Sequence, residues 1–113
     1  MCIRERDRQH SGLADAVEIS AGNSDTCARR TSGAVVCWGA NLNGEVGDAT
    51  TTDRLTPTLV SGLGDAVEIS AGERYSCALR SSGAVVCWGF NGSGRLGDGT
   101  TTDRHTPTAV CGL

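Results

Sequence analysis

Apolar and polar side chains alternate along short segments of this chain, as they do in β-strands. In residues 65–72 the alternating positions are Val67, Glu68, Ile69, Ser70 and Ala71. Residues 76–80 and 84–88 are two further short apolar segments. Residues 106–110 contain a proline and predict a short strand at a sheet edge, where proline is tolerated. Together these segments predict an all-β fold.

A tight turn connects two of these segments and fixes how they pair. The sequence Ser81-Ser-Gly83 predicts a three-residue hairpin loop, with glycine at the position that needs a positive φ. When Arg80 faces Ala84 across this loop, the facing pairs behind them are Leu79 with Val85, Ala78 with Val86, and Cys77 with Cys87. Both sides of the hairpin are therefore apolar, which favours a sheet packed between two others.

The whole pattern occurs twice, with an offset of fifty residues. Residues 11–63 and 61–113 are identical at 37 of 53 aligned positions, and residues 15–22 are repeated unchanged as 65–72. A period near fifty is typical of propeller blades and stacked arrays, in which each unit buries its apolar face only against a neighbour. We therefore expect an unmatched segment and two blades: residues 1–10 unmatched, residues 11–63 the first blade, and residues 64–113 the second blade.

Several motifs in fixed order carry a resemblance to a known repeat family. In the second unit they are Ala71-Gly-Glu-Arg-Tyr-Ser-Cys-Ala-Leu79, Gly83-Ala-Val-Val-Cys-Trp-Gly89, Asn91, Gly94-Arg-Leu-Gly-Asp-Gly99, Pro107 and Val110. This unit resembles the regulator-of-chromosome-condensation repeat, whose members build seven-bladed β-propellers. The resemblance covers residues 11–113 and implies two tandem four-stranded antiparallel blades, as either a partial β-propeller or a ring-forming oligomer.

The chain departs from the family pattern at a few positions. Where the family usually has histidine before the Ser-Cys-Ala-Leu segment, this chain has Asp25 in the first unit and Tyr75 in the second. The first unit also has Arg29 where the second has Leu79. An unpaired charge on a fully buried face costs on the order of several kcal/mol. We therefore expect Arg29 to lie on a partly wet face or to have an acidic partner.

Four of the six cysteines face each other in pairs. Directly opposed residues of antiparallel strands have Cα atoms roughly 4.5 to 5.5 Å apart, which suits a disulfide. We therefore expect disulfides between Cys27 and Cys37 and between Cys77 and Cys87, formed in an oxidising compartment. The alternative is reduced cysteines packed as small apolar side chains. The spacing within each pair disfavours a zinc site, because metal knuckles use much shorter spacings.

The cysteines also bear on where the protein acts. The form of the repeat with two cysteines is similar to repeats of secreted bacterial proteins, which favours an extracellular or periplasmic location. Residues 1–10 alternate in charge and lack the apolar region of a signal peptide. Cys2 and Cys111 have no counterparts in the other unit and are interpreted as a terminal staple or as free thiols.

Charge and composition argue against several classes of partner. The basic residues are all arginine and the net charge is -3, so the basic stripe of a nucleic-acid-binding protein is missing. The sequence has neither a polybasic patch nor an apolar segment long enough to predict contact with a membrane. We therefore expect no nucleic acid and no membrane as partner.

Candidate catalytic and metal-binding groups are few. His10 and His105 lie outside any recognisable nucleophile motif, and the chain has no phosphate-binding loop of the Walker type. The Asp-rich segments 48–53 and 98–103 lack the ligand pattern of the twelve-residue calcium loop, and their Asp and Thr residues are typical of turns. We therefore expect no catalytic residue, no metal site and no cofactor.

Two side chains per unit allow both a functional and a structural interpretation. Trp38 and Trp88 suit a binding or light-sensing site, but one tryptophan at the end of each hairpin favours a position in the core. Glu18 and Glu68 suit the lining of a central channel, but solvated charge on a strand is the interpretation that we favour.

The stretches in which the two units differ are candidates for a partner surface. In the second unit they supply residue types that dominate interface hot spots: Arg74, Tyr75, Phe90 and Arg95. Relaxed selection on exposed loops is the alternative explanation. The function that we expect is a non-catalytic propeller repeat module for protein–protein interaction or self-assembly. The alternatives are a guanine-nucleotide exchange factor for a small GTPase, as in the family's namesake, and a fragment of a larger secreted propeller with no activity of its own.

Two units leave apolar faces at both ends of the pair, which favours self-association. Residues 56–63 lead from the first unit into the second, whereas the equivalent residues 106–113 lead into no further unit of this chain. We expect residues 106–113 of one copy to complete the first blade of the next. Such a head-to-tail contact closes into a ring when its rotation divides the circle. Two blades per copy then favour a trimer or a tetramer.

Overall fold

The computed structural model describes residues 15–110, which form eight β-strands. They are β1 (Ala16–Ala21), β2 (Asp25–Arg30), β3 (Val35–Gly39), β4 (Arg54–Leu59), β5 (Ala66–Ala71), β6 (Tyr75–Arg80), β7 (Val85–Gly89) and β8 (Arg104–Ala109). Four consecutive strands form each antiparallel sheet, in the orders β1-β2-β3-β4 and β5-β6-β7-β8. The predicted pair of four-stranded blades is therefore confirmed. Within this part of the chain, no helix is long and apolar enough to cross a membrane.

Some predictions lie outside the described residues. They concern the unmatched segment 1–10, which contains Cys2 and His10, and they concern Cys111 near the other end of the chain.

The central hairpin of each blade has the predicted register. Cys27 pairs with Cys37, and Cys77 pairs with Cys87. The turn of the second hairpin requires glycine, because Gly83 adopts a φ of 94°, a conformation that residues with a Cβ atom rarely adopt. The three-residue loop therefore sets which side chains share a face.

The first strand of each blade differs from the simple alternation that the sequence predicts. The pairing of β5 with β6 shifts between Ala66 and Glu68, which indicates a β-bulge with one extra residue. As a result, Ala66 and Ile69 are both buried, whereas Val67 is 46% exposed. The predicted alternation therefore holds only from Glu68 onward. The pairing of β1 with β2 has the same shift.

Each sheet contains its own outer strand. β4 pairs with β3 in the first sheet, and β8 pairs with β7 in the second. The expectation that residues 106–113 complete the first blade of another copy is therefore wrong for the residues that the structure describes. The first sheet already has four strands, and β8 already has a partner in its own blade.

The hydrophobic core lies between the two sheets. It consists of Cys27, Val35, Cys37, Val46, Val60, Leu63, Ala66, Ile69, Ala78, Val86 and Trp88. All of these side chains are buried, and Trp88 is completely buried, as predicted. Trp38, by contrast, is only half-buried. The two blades therefore share one core, as expected for units that bury their apolar faces against a neighbour.

Candidate interaction surface

The contact between the two blades, which we call the junction, shows how one blade binds another. The side of the first blade that carries Cys27, Val35 and Cys37 packs against the side of the second blade that carries Ala78 and Trp88. These two sides are different surfaces of the repeat, so the junction is a heterologous, head-to-tail contact. Each blade therefore has one surface of each kind.

Two side chains of β1 bind the backbone edge of β5 across the junction. The Ile69 N–H donates to Oε1 of Glu18 at 3.3 Å, and the Ala71 N–H donates to Oγ of Ser20 at 2.8 Å. Because β5 is at the edge of its sheet, these amides have no neighbouring strand to pair with. Glu18 and Ser20 therefore satisfy two backbone donors that border an apolar core.

The loop that follows β3 also binds the second blade. The indole N–H of Trp88 donates to the carbonyl oxygen of Glu45 at 2.8 Å. The Ala49 N–H donates to the carbonyl oxygen of His105 at 2.9 Å. These bonds hold the loop of residues 40–50 against strands β7 and β8 of the second sheet.

A buried carboxyl group lies in the junction with few partners. Asp25 is 3% exposed, its Oδ2 accepts a hydrogen bond from the Ser76 hydroxyl at 3.4 Å, and its Oδ1 has no partner among the described residues. Glu45, which is also buried, lies near it. Burial, together with the Glu45 carboxylate, raises the pKa of Asp25 to about 7. The junction therefore contains a group that titrates near neutral pH.

Arg29 has the acidic partner that its position requires. Its Nε donates to Oε1 of Glu18 at 2.8 Å, and the two side chains are 24% and 29% exposed. Glu18 also accepts the Ile69 N–H, so this ion pair connects β2, β1 and β5. Of the two outcomes expected for Arg29, a wet face or an acidic partner, the structure contains the acidic partner.

The corresponding side of the second blade is accessible. It forms a shallow depression, which we call the open face and whose lining includes Glu68, Ser70, Cys77, Leu79 and Val85. Val85 is half-buried, whereas its counterpart Val35 in the first blade is completely buried. The second blade therefore presents the apolar surface that the first blade uses to bind its neighbour.

The four residues predicted to bind a partner lie together at one end of the second blade. We call Arg74, Tyr75, Phe90 and Arg95 the rim cluster. The Phe90 N–H donates to the carbonyl oxygen of Arg74 at 2.8 Å. The guanidinium of Arg95 lies 5.3 Å from the centre of the Phe90 ring, within the range of a cation–π contact. Tyr75 is the first residue of β6, so it does not belong to a loop as its sequence context suggests.

Two members of the rim cluster occupy positions that face the junction in the first blade. Tyr75 corresponds to Asp25, and Arg95 corresponds to Glu45. Asp25 and Glu45 are buried in the junction, whereas Arg95 is exposed. The rim cluster therefore borders the open face. Sequence reasoning missed the burial of Asp25 and Glu45, and the difference between the two copies at these positions was the only signal of it.

Both predicted cysteine pairs come together in the central hairpins. The sulfur atoms of Cys27 and Cys37 are 2.10 Å apart, and those of Cys77 and Cys87 are 2.05 Å apart. Each pair is at disulfide distance and connects the two middle strands of its blade. The first pair lies inside the junction, and Cys77 of the second pair lines the open face.

The Asp-rich segments use their carboxylates to bind their own chain. Oδ2 of Asp98 accepts from Nε of Arg104 at 2.8 Å, and its Oδ1 accepts from the Thr100 hydroxyl at 2.8 Å. Arg104 and Thr100 hold the pKa of Asp98 below its usual value. Asp48 makes the equivalent bond to Arg54. Among residues 15–110, no group of three or more His, Cys, Asp or Glu side chains is arranged to hold a metal ion.

Two family models match the chain, and both describe the regulator of chromosome condensation (RCC1) repeat. One matches residues 16–45 and 66–95, and the other matches residues 32–79 and 82–113. Each model therefore matches two segments of the chain, and between them they span both blades. No curated protein matches the chain.

Solved structures share the fold. The chain resembles one in the crystal structure of Kap60 bound to yeast RCC1 (Prp20), with a TM-score of 0.78 and 22% identity over 87% of this chain and 25% of that chain. For Prp20p from Saccharomyces cerevisiae the TM-score is 0.77 at 22% identity, over 87% of this chain and 26% of that chain. For human WBSCR16 the TM-score is 0.74 at 19% identity, over 84% of this chain and 25% of that chain. The chain thus spans about a quarter of the length of the solved structures that it matches.

Proposed function

The chain belongs to the regulator of chromosome condensation (RCC1) repeat family, and on this basis we propose that it is a non-catalytic β-propeller repeat module. It binds another protein through the open face and the rim cluster of its second blade. The observation that carries the proposal is the contrast between the blades. Val35 and its surroundings are buried by a neighbouring blade, while the equivalent surface at Val85 and Leu79 is accessible.

The chemistry of this surface supports a protein as the ligand. Leu79 and Val85 supply an apolar centre, and the rim cluster adds two arginines and two aromatic rings at its border. Apolar centres with polar borders are the common anatomy of protein–protein interfaces, and Arg, Tyr and Phe are enriched there. A suitable partner presents an apolar patch with acidic groups at one side, which the rim arginines attract.

The known partners of the relatives also support a protein ligand. Yeast RCC1 (Prp20) was crystallised bound to Kap60, and Prp20p was examined for binding to Gsp1p and histones. These are properties of proteins of which this chain covers about a quarter. We therefore take from them only the class of partner, a protein, and we do not extend nucleotide exchange to this chain.

We further propose that the module works in an oxidising compartment, extracellular or periplasmic. Both cysteine pairs lie at disulfide distance, and disulfides persist in such compartments.

The proposal is tested by affinity capture from an extract of the cells that produce the protein, under non-reducing conditions, with quantitative mass spectrometry. The baits are the wild-type chain, Leu79→Asp on the open face, and a control, Leu55→Asp, at a position on β4 that is 94% exposed. We expect proteins that bind the wild type and the control and that are lost with Leu79→Asp. Equal capture by all three baits, or capture by none, contradicts the proposal. Circular dichroism of each bait verifies that it is folded.

A further inference from the structure

The first blade carries a surface that is complementary to the open face. In the junction, the side of the second blade that packs against the first blade consists of Ala66, Ile69, Ala78, Val86 and Trp88. The first blade has the same residue types at all five equivalent positions, which we call the receiving face: Ala16, Ile19, Ala28, Val36 and Trp38. Ala28 and Val36 form a second apolar cluster of this chain, and Ala16 and Trp38 pack against it.

Some apolar side chains of the receiving face are accessible, whereas their counterparts in the second blade are buried in the junction. Ile19 is 42% exposed, whereas its counterpart Ile69 is 7% exposed. Trp38 is half-buried, whereas its counterpart Trp88 is completely buried. A neighbour seated as in the junction would remove this surface from water, which is favourable in proportion to the apolar area.

The open face and the receiving face carry the same hydrogen-bonding groups that form the polar bonds of the junction. In the junction, a glutamate and a serine of one blade accept two backbone N–H groups from the edge strand of the next. The open face presents the equivalent acceptors, Glu68 and Ser70, and both are exposed. The equivalent N–H groups are those of Ile19 and Ala21 at the edge of β1. The segments that carry these groups are identical in the two blades.

We propose that the open face of one copy binds the receiving face of a second copy, in the geometry of the junction. This inference rests on the proposed function, because it names the partner of the same surface: a second copy of this chain. The described residues of each copy present one open face and one receiving face, so the contact can repeat from copy to copy. Closure of the array at three or four copies gives a ring of six or eight blades.

The residues that differ between the blades change the charges within this contact. Leu79 stands where the junction has Arg29, and Tyr75 stands where the junction has Asp25. The contact between copies therefore lacks the counterparts of the partly buried Arg29 and of the buried Asp25. Tyr75 removes the desolvation cost of a buried carboxyl group. Leu79 leaves Glu68 without the arginine that pairs with Glu18 in the junction, and Arg95 stands where the junction has Glu45.

The test is the mass in solution, measured by light scattering and sedimentation velocity over a range of protein concentrations. We expect the wild type and the Leu55→Asp control to have three or four times the mass of one chain. We expect Leu79→Asp on the open face and Ile19→Asp on the receiving face each to have the mass of one chain. Both substituted positions are partly exposed, so both variants should remain folded.

A mixture of the two variants is the decisive experiment. Leu79→Asp retains an intact receiving face, and Ile19→Asp retains an intact open face. Equal amounts should therefore form a one-to-one dimer and nothing larger, which only a head-to-tail contact produces. If Leu79→Asp is a single chain but Ile19→Asp still associates, open faces bind each other and the proposal is overturned.

The outcome also separates this inference from the proposed function. A wild type with the mass of one chain, whose capture of another protein is lost with Leu79→Asp, overturns self-binding and leaves the proposed function intact. If Leu79→Asp alters neither the mass nor the captured proteins, both are wrong.

Discussion

Asp25 makes the contact between the blades depend on proton concentration. Its folded-state pKa is about 7, above the ordinary value of 3.8, because burial and the Glu45 carboxylate disfavour its charge. The folded chain therefore binds more protons than the unfolded chain between these two values. It follows that the stability supplied by neutral Asp25 is fully present below pH 4 and is lost as the pH rises toward 7 and above.

We predict that Asp25→Asn removes this dependence. At pH 8 the variant should be more stable than the wild type, by on the order of 2 to 4 kcal/mol, because an amide carries no charge into the junction. Below pH 4 the two should be similar. Urea unfolding from pH 3 to pH 8.5 measures both effects, and Glu45→Gln should move the transition of the wild-type curve to lower pH. Parallel curves for the wild type and Asp25→Asn would show that Asp25 titrates normally.

At the scale of strands, the edge of β5 depends on two acceptors from β1. We predict that Ser20→Ala lowers the free energy of unfolding by about 1 kcal/mol, since the Ala71 N–H then lies unpaired beside the core. The matched control is Ser70→Ala, at the equivalent exposed position, with an expected change within about 0.5 kcal/mol. Both should be measured in the Leu79→Asp background, which excludes any contribution from the proposed association of copies. Equal losses would show that the serine does not act through the junction.

The two cysteine pairs should differ in their contribution to stability. They close chain segments of equal length, with a separation of 10 residues each, so the chain-entropy contribution of roughly 2 to 3 kcal/mol is the same. Replacing Cys27 and Cys37 by Ala should cost more than replacing Cys77 and Cys87, because only the first pair lies inside the junction. Guanidinium unfolding measures the two losses, and non-reducing peptide mapping identifies the links. Four freely alkylated thiols in protein from an oxidising compartment would contradict the pairing.

The sequence predicted those features of the strands that are local. The register of the central hairpins follows from a three-residue loop with glycine at a positive φ, and Cys77 faces Cys87 as expected. The bulge near Val67 could not be predicted, because Ala-Val-Glu-Ile fits a regular strand equally well. The burial of Asp25 and Glu45 was also missed, since it depends on which side of one blade meets the next.

At the scale of the whole molecule, both blades should unfold together. The main apolar cluster takes residues from both sheets, so neither sheet keeps its buried surface when the other unfolds. We predict a single cooperative transition. Far-ultraviolet circular dichroism, which reports on all strands, should coincide with the fluorescence of Trp88 in a Trp38→Phe variant. Two separate transitions would show that each blade is stable alone.

The placement of Glu18 and Ser20 has a consequence for how such a chain evolves. Both lie in an eight-residue segment that recurs unchanged as residues 65–72, and this segment also carries the N–H groups that such side chains bind. A gene duplication of one unit therefore creates a blade that already fits its neighbours on both sides. No compensating mutation at the strand edge is needed. Divergence is then free to act at other positions, such as Asp25 and Tyr75, which give the equivalent surfaces of the two blades different properties.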